Sequence, residues 1–460
     1  MHDNAFEKLD EEPLSRFHLL AMLTTGMGVF TDGYDLSSIG LVLPLVLTSF
    51  GIDRISGIES GFLTGAALVG STIGALLFGA LAQRGRKRFY GVDVGLMAAA
   101  AFAQAFAPGL WSLIAIRFVL GIGVGADYVL SPTIMAEHAN RRDRGKKIGF
   151  GFSMMWGLGA IAAALVLYAV RGLGLSPDLQ WRIVLGLGAL PALSVLGLRR
   201  RMPETARYLA RVGGQAAEAR QVIAEITGAE VDRAPLADRR AWHEVLSRHA
   251  RAVLGATFLW FLYDVVIYAS ILFGPSVIAQ RIGMSEDGFS LATYGLFYVP
   301  GTALGCLLVD RLGRRMLTAT GFAVSAAALL VFAHLGPVAG APLLGLAIYG
   351  VYTLAISYGP GTVSGGGLLG VELAPTRVRS IAQAITVVGG RIGASVAAFL
   401  FPVLLESWSV STLLVILAIV SLIGAFAAFL VPETAGRSLE EINVDSDAAI
   451  AAAMGDLPAA

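Results

Sequence analysis

The sequence predicts an all-α membrane protein with twelve transmembrane helices in two pseudo-symmetric six-helix bundles. Three observations carry this. Of 460 residues, 56% are hydrophobic and 15% charged, where a soluble domain has about 25% charged, and the mean hydropathy is +0.71. Twelve apolar stretches approach the ~20 residues that a ~30 Å hydrocarbon core demands. Local patterns also return at close to half the chain length: "GRK" at 85–87 and "GRR" at 313–315 are 228 apart, and "PET" at 203–205 and 432–434 are 229 apart. A looser pair, Glu137 with Arg144 and Glu372 with Arg379, repeats at 235. A duplicated six-span unit accounts for all three and places a substrate site near the midplane between the halves.

In chain order, residues 1–17 are polar and acidic and lack a cleavable signal's basic start, so they read as a cytoplasmic N-terminus. Spans begin near residues 18, 61, 89, 111, 147 and 181, giving an N-terminal bundle over 18–199. A charged segment, 200–251, reads as a cytoplasmic linker. The second bundle, 252–430, has spans from about 252, 291, 317, 341, 381 and 409, and 431–460 forms a cytoplasmic tail. Alternate loops carry fourteen basic residues on one side and four on the other, which puts both termini in the cytoplasm and the chain in the cell (inner) membrane.

The first span holds Asp32 and Asp35, too deep for their side chains to reach water. An ionised carboxylate there costs a few kcal/mol, and two acids one turn apart favour binding a proton. Asp127 sits at mid-depth in the fourth span, with Arg117 nearer the outside. One reading makes Asp32, Asp35 and Asp127 a proton relay. The other pairs one aspartate permanently with Arg117 and lets another cap a helix break at Gly33. In the seventh span Trp260, Asp264 and Tyr268 are spaced by fours and share a face. The aromatics supply donors with apolar bodies, and the carboxyl accepts when ionised and donates when protonated. Tyr128 offers another donor. Glycines 61, 65, 70, 74 and 79 in the second span, and 121, 123 and 125 in the fourth, read as close-packing surfaces.

Several classes are excluded. The six histidines lack metal-ligand spacing, the one cysteine, Cys306, reads as packing, and no phosphate-cradling loop is present for an ATP motor. No nucleophile and histidine base fall together in the spans, which argues against an enzyme. A net charge of +1 implies no nucleic-acid partner. The partners are a small-molecule substrate, protons and the lipid bilayer, for a monomer with no metal and no cofactor beyond the transmembrane proton gradient.

Motifs extend this reading. "DRLGRR" at 310–315 and "RFVLGIGVG" at 117–125 resemble the major facilitator superfamily, and "VPETAGRSLEEI" at 431–442 resembles the C-terminal signature of sugar porters. Within it, "FTDGYDLSSI", "GRKRFYG", "GADYVLSPTIMAE" and the Trp260, Asp264, Tyr268 triplet are most similar to the phosphate:proton symporters. The resemblance implies alternating access. It also implies a cytoplasmic gate latched by Arg84, Gly85, Arg86 and Lys87 and by Asp310, Arg311, Gly313, Arg314 and Arg315, through Glu137, Arg144, Glu372 and Arg379; topology alone is the plainer account of these charges. Gln83 stands where the superfamily has aspartate, so the first-half latch is expected to be the weaker. Trp156 replaces the family's phosphate-contacting glutamine, Gly361 its asparagine, and Arg391 its lysine. Arg391 either faces an anion with its planar fork or neutralises Asp264.

The resulting expectation is a proton-coupled symporter for a small anion, inorganic phosphate or a small organic acid. A proton-coupled sugar or polyol symporter is the alternative, although the paired glutamines of a sugar porter's seventh helix are missing. A transporter-like sensor is a third reading, disfavoured by a linker of about 50 residues.

Overall fold

The computed structural model describes residues 6–229, 235–335 and 341–455. Twelve helices dominate: α1 Arg16–Ser49, α2 Gly57–Arg84, α3 Val92–Gln104, α4 Leu110–His138, α5 Arg144–Gly172, α6 Pro177–Arg201, α7 Trp242–Ile282, α8 Glu286–Leu312, α9 Arg314–Leu335, α10 Pro342–Glu372, α11 Arg379–Leu405 and α12 Val410–Leu430. All but α3 are long and apolar enough to cross a bilayer; α3 has 13 residues, about 20 Å of helix.

Local chemistry sets the helix ends. Ser56, Ser176, Ser285 and Ser409 cap α2, α6, α8 and α12 by accepting a backbone N–H. Two boundaries differ from the sequence expectation. Helix α1 runs unbroken through Gly33, so no aspartate caps a break there. A Cβ at Gly33 would instead lie 2.0 Å from the Trp156 carbonyl oxygen, so the glycine serves a close crossing of α1 and α5. Helix α7 starts at Trp242, ten residues before the expected span, because the linker's last stretch continues the same helix.

Within the halves α2 packs on α4, α1 on α5, α7 on α11 and α9 on α12; across them α2 meets α11 and α5 meets α8. Lipid gives helices no hydrophobic reason to associate, so close backbone approach must supply the packing. At α2 and α4 it does: a Cβ on Gly70 or Gly121 would sit 2.0 Å from the facing carbonyl of Phe118 or Ala67.

The basic-loop end carries an apron. Short helices Glu7–Glu11, Ala206–Arg211 and Ala216–Thr227 share a core of Phe6, Leu9, Leu209, Ile223 and neighbours. Buried Arg207 donates to Asp10 at 2.7 Å, to Glu440 at 2.8 Å and to the Glu137 carbonyl at 2.7 Å, tying the N-terminal segment, linker and tail to α4.

Candidate transport site

Between the halves lies a small cavity of about 20 Å³, room for roughly one water with the halves packed together. Tyr128, Trp156, Trp260, Asp264, Tyr268 and Arg391 all line it, with Ser153, Tyr263, Tyr298, Gly361 and Gly365. Helical spacing turns the three α7 residues to one side. From α11, Arg391 Nη1 donates to the Tyr268 hydroxyl at 2.6 Å and stands 3.7 Å from Asp264 Oδ2. Its guanidinium lies 4.0 Å over the Tyr128 ring. Arg391 is thus both near Asp264 and free to serve another partner: its Nε and Asp264 Oδ2 have no hydrogen-bond partner among the described residues. Trp156 tilts against Tyr298 across the interface, ring centres 5.5 Å apart. Where the resemblance leads one to expect an asparagine, Gly361 presents its carbonyl, which accepts from Ser153 at 3.0 Å.

Wide π-helical turns build this wall. Phe150–Met154 contains Ser153, Tyr294–Tyr298 ends on a lining tyrosine, and Ser357–Gly365 holds both lining glycines around Pro360. Such turns are frequent at functional sites.

The three aspartates do not form one cluster facing the cavity. Asp35 points at α6, where a Cβ on Gly188 would lie 2.3 Å from its Oδ1, and its electrostatic neighbour is Arg117. Arg117 bonds Gln104 at 3.0 Å and has no carboxylate within ion-pair distance among the described residues. Asp32 lies between, neither oxygen hydrogen-bonded, within electrostatic reach of Asp127, Arg391, Arg199 and Asp35. Asp127 is ion-paired: Arg199 Nη1 is 2.6 Å from Asp127 Oδ1 and 2.6 Å from Asp93 Oδ2, its guanidinium over the Tyr90 ring. The acids therefore form a row through the N-terminal half, and Asp127 pairs with a residue at the foot of α6, not with Arg117.

The basic-loop end is latched with two-fold repetition. Glu137 accepts from Arg86 of its own half at 3.1 Å and from Arg379 of the other at 3.0 Å. Glu372 accepts from Arg314 at 2.8 Å and, across the interface, from Arg144 at 2.7 Å. All six side chains are buried. Asp310 reaches across to the N–H groups of Gly145 and Lys146 at 3.1 and 2.7 Å, a carboxylate at a helix N-terminus. Its counterpart Gln83 makes only a neutral bond to Ser380 at 2.7 Å. The opposite end is closed by Arg171 on Asp287 at 2.7 Å and Glu286 at 3.1 Å, and by Glu406 on the Gly57 N–H at 2.8 Å.

The model of the family described as "Sugar (and other) transporter" matches residues 21–445. Inorganic phosphate transporter 1-11 of Oryza sativa subsp. japonica is 34% identical, covering 95% of this chain and 89% of its own. Low affinity inorganic phosphate transporter 4 of Lotus japonicus is 33% identical over 95% and 93%. The chain belongs to this transporter family, within the major facilitator superfamily. Among solved structures, the proton:xylose symporter XylE bound to 6-bromo-6-deoxy-D-glucose superposes with a TM-score of 0.79 at 23% identity, covering 94% of this chain and 99% of that one, a likeness of fold.

Some gate assignments need correction in this transporter. Arg84, Lys87 and Arg311 have exposed side chains outside the buried latch; Lys87 contributes only its N–H, donated to Glu204 at 3.1 Å. Arg315 uses its Nε on the Val431 carbonyl and its N–H on Glu433 at 3.1 Å. Gly85 and Gly313 take φ of +130° and +84°, which only glycine adopts easily. The two "PET" copies were missed as latch parts. Glu204 and Glu433 cap the helices that follow each glycine, and Thr205 and Thr434 donate to Glu137 and Glu372. Their 229-residue repeat was the available signal. Arg199 and Asp93 were missed because an arginine run at a span end also satisfies the positive-inside rule.

Proposed function

We propose that the chain is a proton-coupled symporter for a small anion, inorganic phosphate or a small organic acid, working by alternating access. The observation that carries this reading is Arg391 held by Tyr268 at the cavity wall with Asp264 3.7 Å away. Ionised, Asp264 competes with an anion for the guanidinium. Protonated, it releases Arg391 and donates a hydrogen bond, so proton and anion each strengthen the other's binding. The relatives' names support phosphate. No asparagine or glutamine lines the cavity among the described residues, while Arg391 supplies it with a cation suited to an anion. The sugar-porter-like tail signature gives no weight to the alternative, since Glu433, Thr434 and Glu440 act in the latch and apron.

In this proposal Asp32, Asp35 and Asp127 pass the proton, Tyr128, Trp156, Trp260, Tyr268 and Arg391 shape the anion site, and the buried latch is the cytoplasmic gate. The protein works as a monomer in the cell membrane, both termini inside, with no cofactor beyond the proton gradient. Uptake into proteoliposomes under an imposed pH gradient tests it, comparing phosphate, organic acids and hexoses. Gradient-driven anion accumulation is expected; a hexose outcompeting every anion overturns the reading.

A further inference from the structure

Two cavities away from the transport site lie along α6, one toward each end of the helix. At the basic-loop end, a pocket of about 520 Å³ is lined by Arg84, Lys87, Arg88 and Arg200, with Tyr90 and Tyr208 as its aromatic members. None of these four cationic side chains has an ion-pair partner among the described residues. The acid in the pocket, Glu204, is occupied with the N–H groups of Lys87 and Thr205 at 3.1 and 3.0 Å. Toward the other end, α3 and α6 frame an apolar groove of about 730 Å³, lined by Phe102, Phe106, Leu187, Leu190 and Leu193 among others.

One face of α6 joins the two. Leu190, Leu193, Gly197 and Arg200 follow at intervals of three, four and three, a single helical stripe. Leu190 and Leu193 are 60% and 53% exposed, and a Cβ on Gly197 would meet nothing within 4 Å, so the stripe is open along its length. From Leu190 to Arg200 is about 15 Å of helix, the depth of one leaflet of a ~30 Å hydrocarbon core. A soluble anion has use for the cations and none for the track; a phospholipid uses both.

We infer that the basic pocket and the exposed α6 stripe leading from it form a binding site for an anionic phospholipid of the leaflet at the basic-loop end, its phosphate among Arg84, Lys87, Arg88 and Arg200 and an acyl chain along the α6 stripe. The site is separate from the transport cavity and borders the latch through Glu204. Basic pockets between membrane helices suit anionic headgroups, and here the apolar track selects a lipid over a free phosphate.

The test uses the full chain, delipidated in mild detergent and offered phosphatidylglycerol or phosphatidylcholine, with bound lipid read by native mass spectrometry. Phosphatidylglycerol is retained in preference by the natural protein. The R88A/R200A double variant weakens that retention by roughly 30-fold, about fivefold per lost cation. Both arginines are exposed, so the lipid-free thermal midpoint stays unchanged. Gly197→Phe, which fills the track and leaves every cation, lowers phosphatidylglycerol retention. Equal retention of the two lipids, or equal phosphatidylglycerol retention by the natural and R88A/R200A proteins, overturns the inference. So does a rise of the thermal midpoint in inorganic phosphate that is lost in R88A/R200A while Gly197→Phe keeps its lipid; that result assigns the pocket to a soluble anion.

Discussion

Arg391 makes one strong bond, to Tyr268, and one loose approach, to Asp264. A lysine there keeps the charge and loses the fork. Charge-assisted hydrogen bonds are worth about 1.5–3 kcal/mol, so Arg391→Lys is expected to weaken anion affinity by roughly 10- to 100-fold in a transport KM series. Asp264→Asn removes the proton site and keeps a donor, so counterflow exchange persists while gradient-driven accumulation disappears; retained accumulation refutes its coupling role. Asp127→Asn leaves Arg199 paired with Asp93 at 2.6 Å, so the fold survives and coupling is lost. Arg199→Met leaves two buried acids, Asp93 and Asp127, without a counter-charge. Breaking a buried pair costs about 3–5 kcal/mol, and a large drop in thermal midpoint is expected. Asp32 and Asp35 were legible in the sequence because a charge in an apolar run is conspicuous. Arg199 was not, because its partners lie 72 and 106 residues away.

The latch is an element-scale device, since four helix ends must meet to form it. Native Cys306 reports on it: on α8, its Sγ lies where a Cβ on Gly149 of the other half would be only 2.6 Å away. Glu372→Gln strips Arg144 of its carboxylate across the interface, leaves Arg314 with the Asp310 carboxylate, and should speed maleimide labelling of Cys306 by roughly tenfold or more, as a buried pair is worth a few kcal/mol. Unchanged labelling counts against Glu372 as a gate. In the apron, burial pushes the Glu440 carboxyl up, but the Arg207 guanidinium outweighs it and holds the group at about 2, below the ordinary 4.5. A depressed carboxyl stabilises above its unfolded value and loses that contribution as pH falls. The stability difference between the natural protein and Glu440→Gln should therefore shrink as pH drops from about 4.5 toward 2, in paired thermal melts. The π-helical turns were the part of these elements that sequence did not show, because widening a helix depends on neighbours such as the Gly321 backbone packed at Pro360.

At the scale of the molecule, the two ends of the cavity are closed with unequal strength. The basic-loop end has four fully buried ion pairs, two of which, Arg144–Glu372 and Arg379–Glu137, cross between the halves. The opposite end relies on Arg171, 32% exposed, with Glu286 and Asp287, and exposed pairs contribute about 0–1 kcal/mol each. The closed form should thus open at that opposite end more readily than at the basic-loop end. Arg171→Ala is expected to shift the population further toward that opening and slow Cys306 labelling by a few-fold, about what 1 kcal/mol allows; faster labelling contradicts the ordering. The sequence by itself determined the twelve spans, the duplication and the acids within the spans, because a bilayer demands apolar length and makes every charge in an apolar run stand out. Only the tertiary structure decided which charge meets which: that Asp127 belongs to Arg199, that Asp35 turns from the cavity, and that the threonines of the two "PET" copies complete the latch. Those pairings join residues tens to hundreds of positions apart, and helix packing, which no local pattern records, brings them within hydrogen-bond reach.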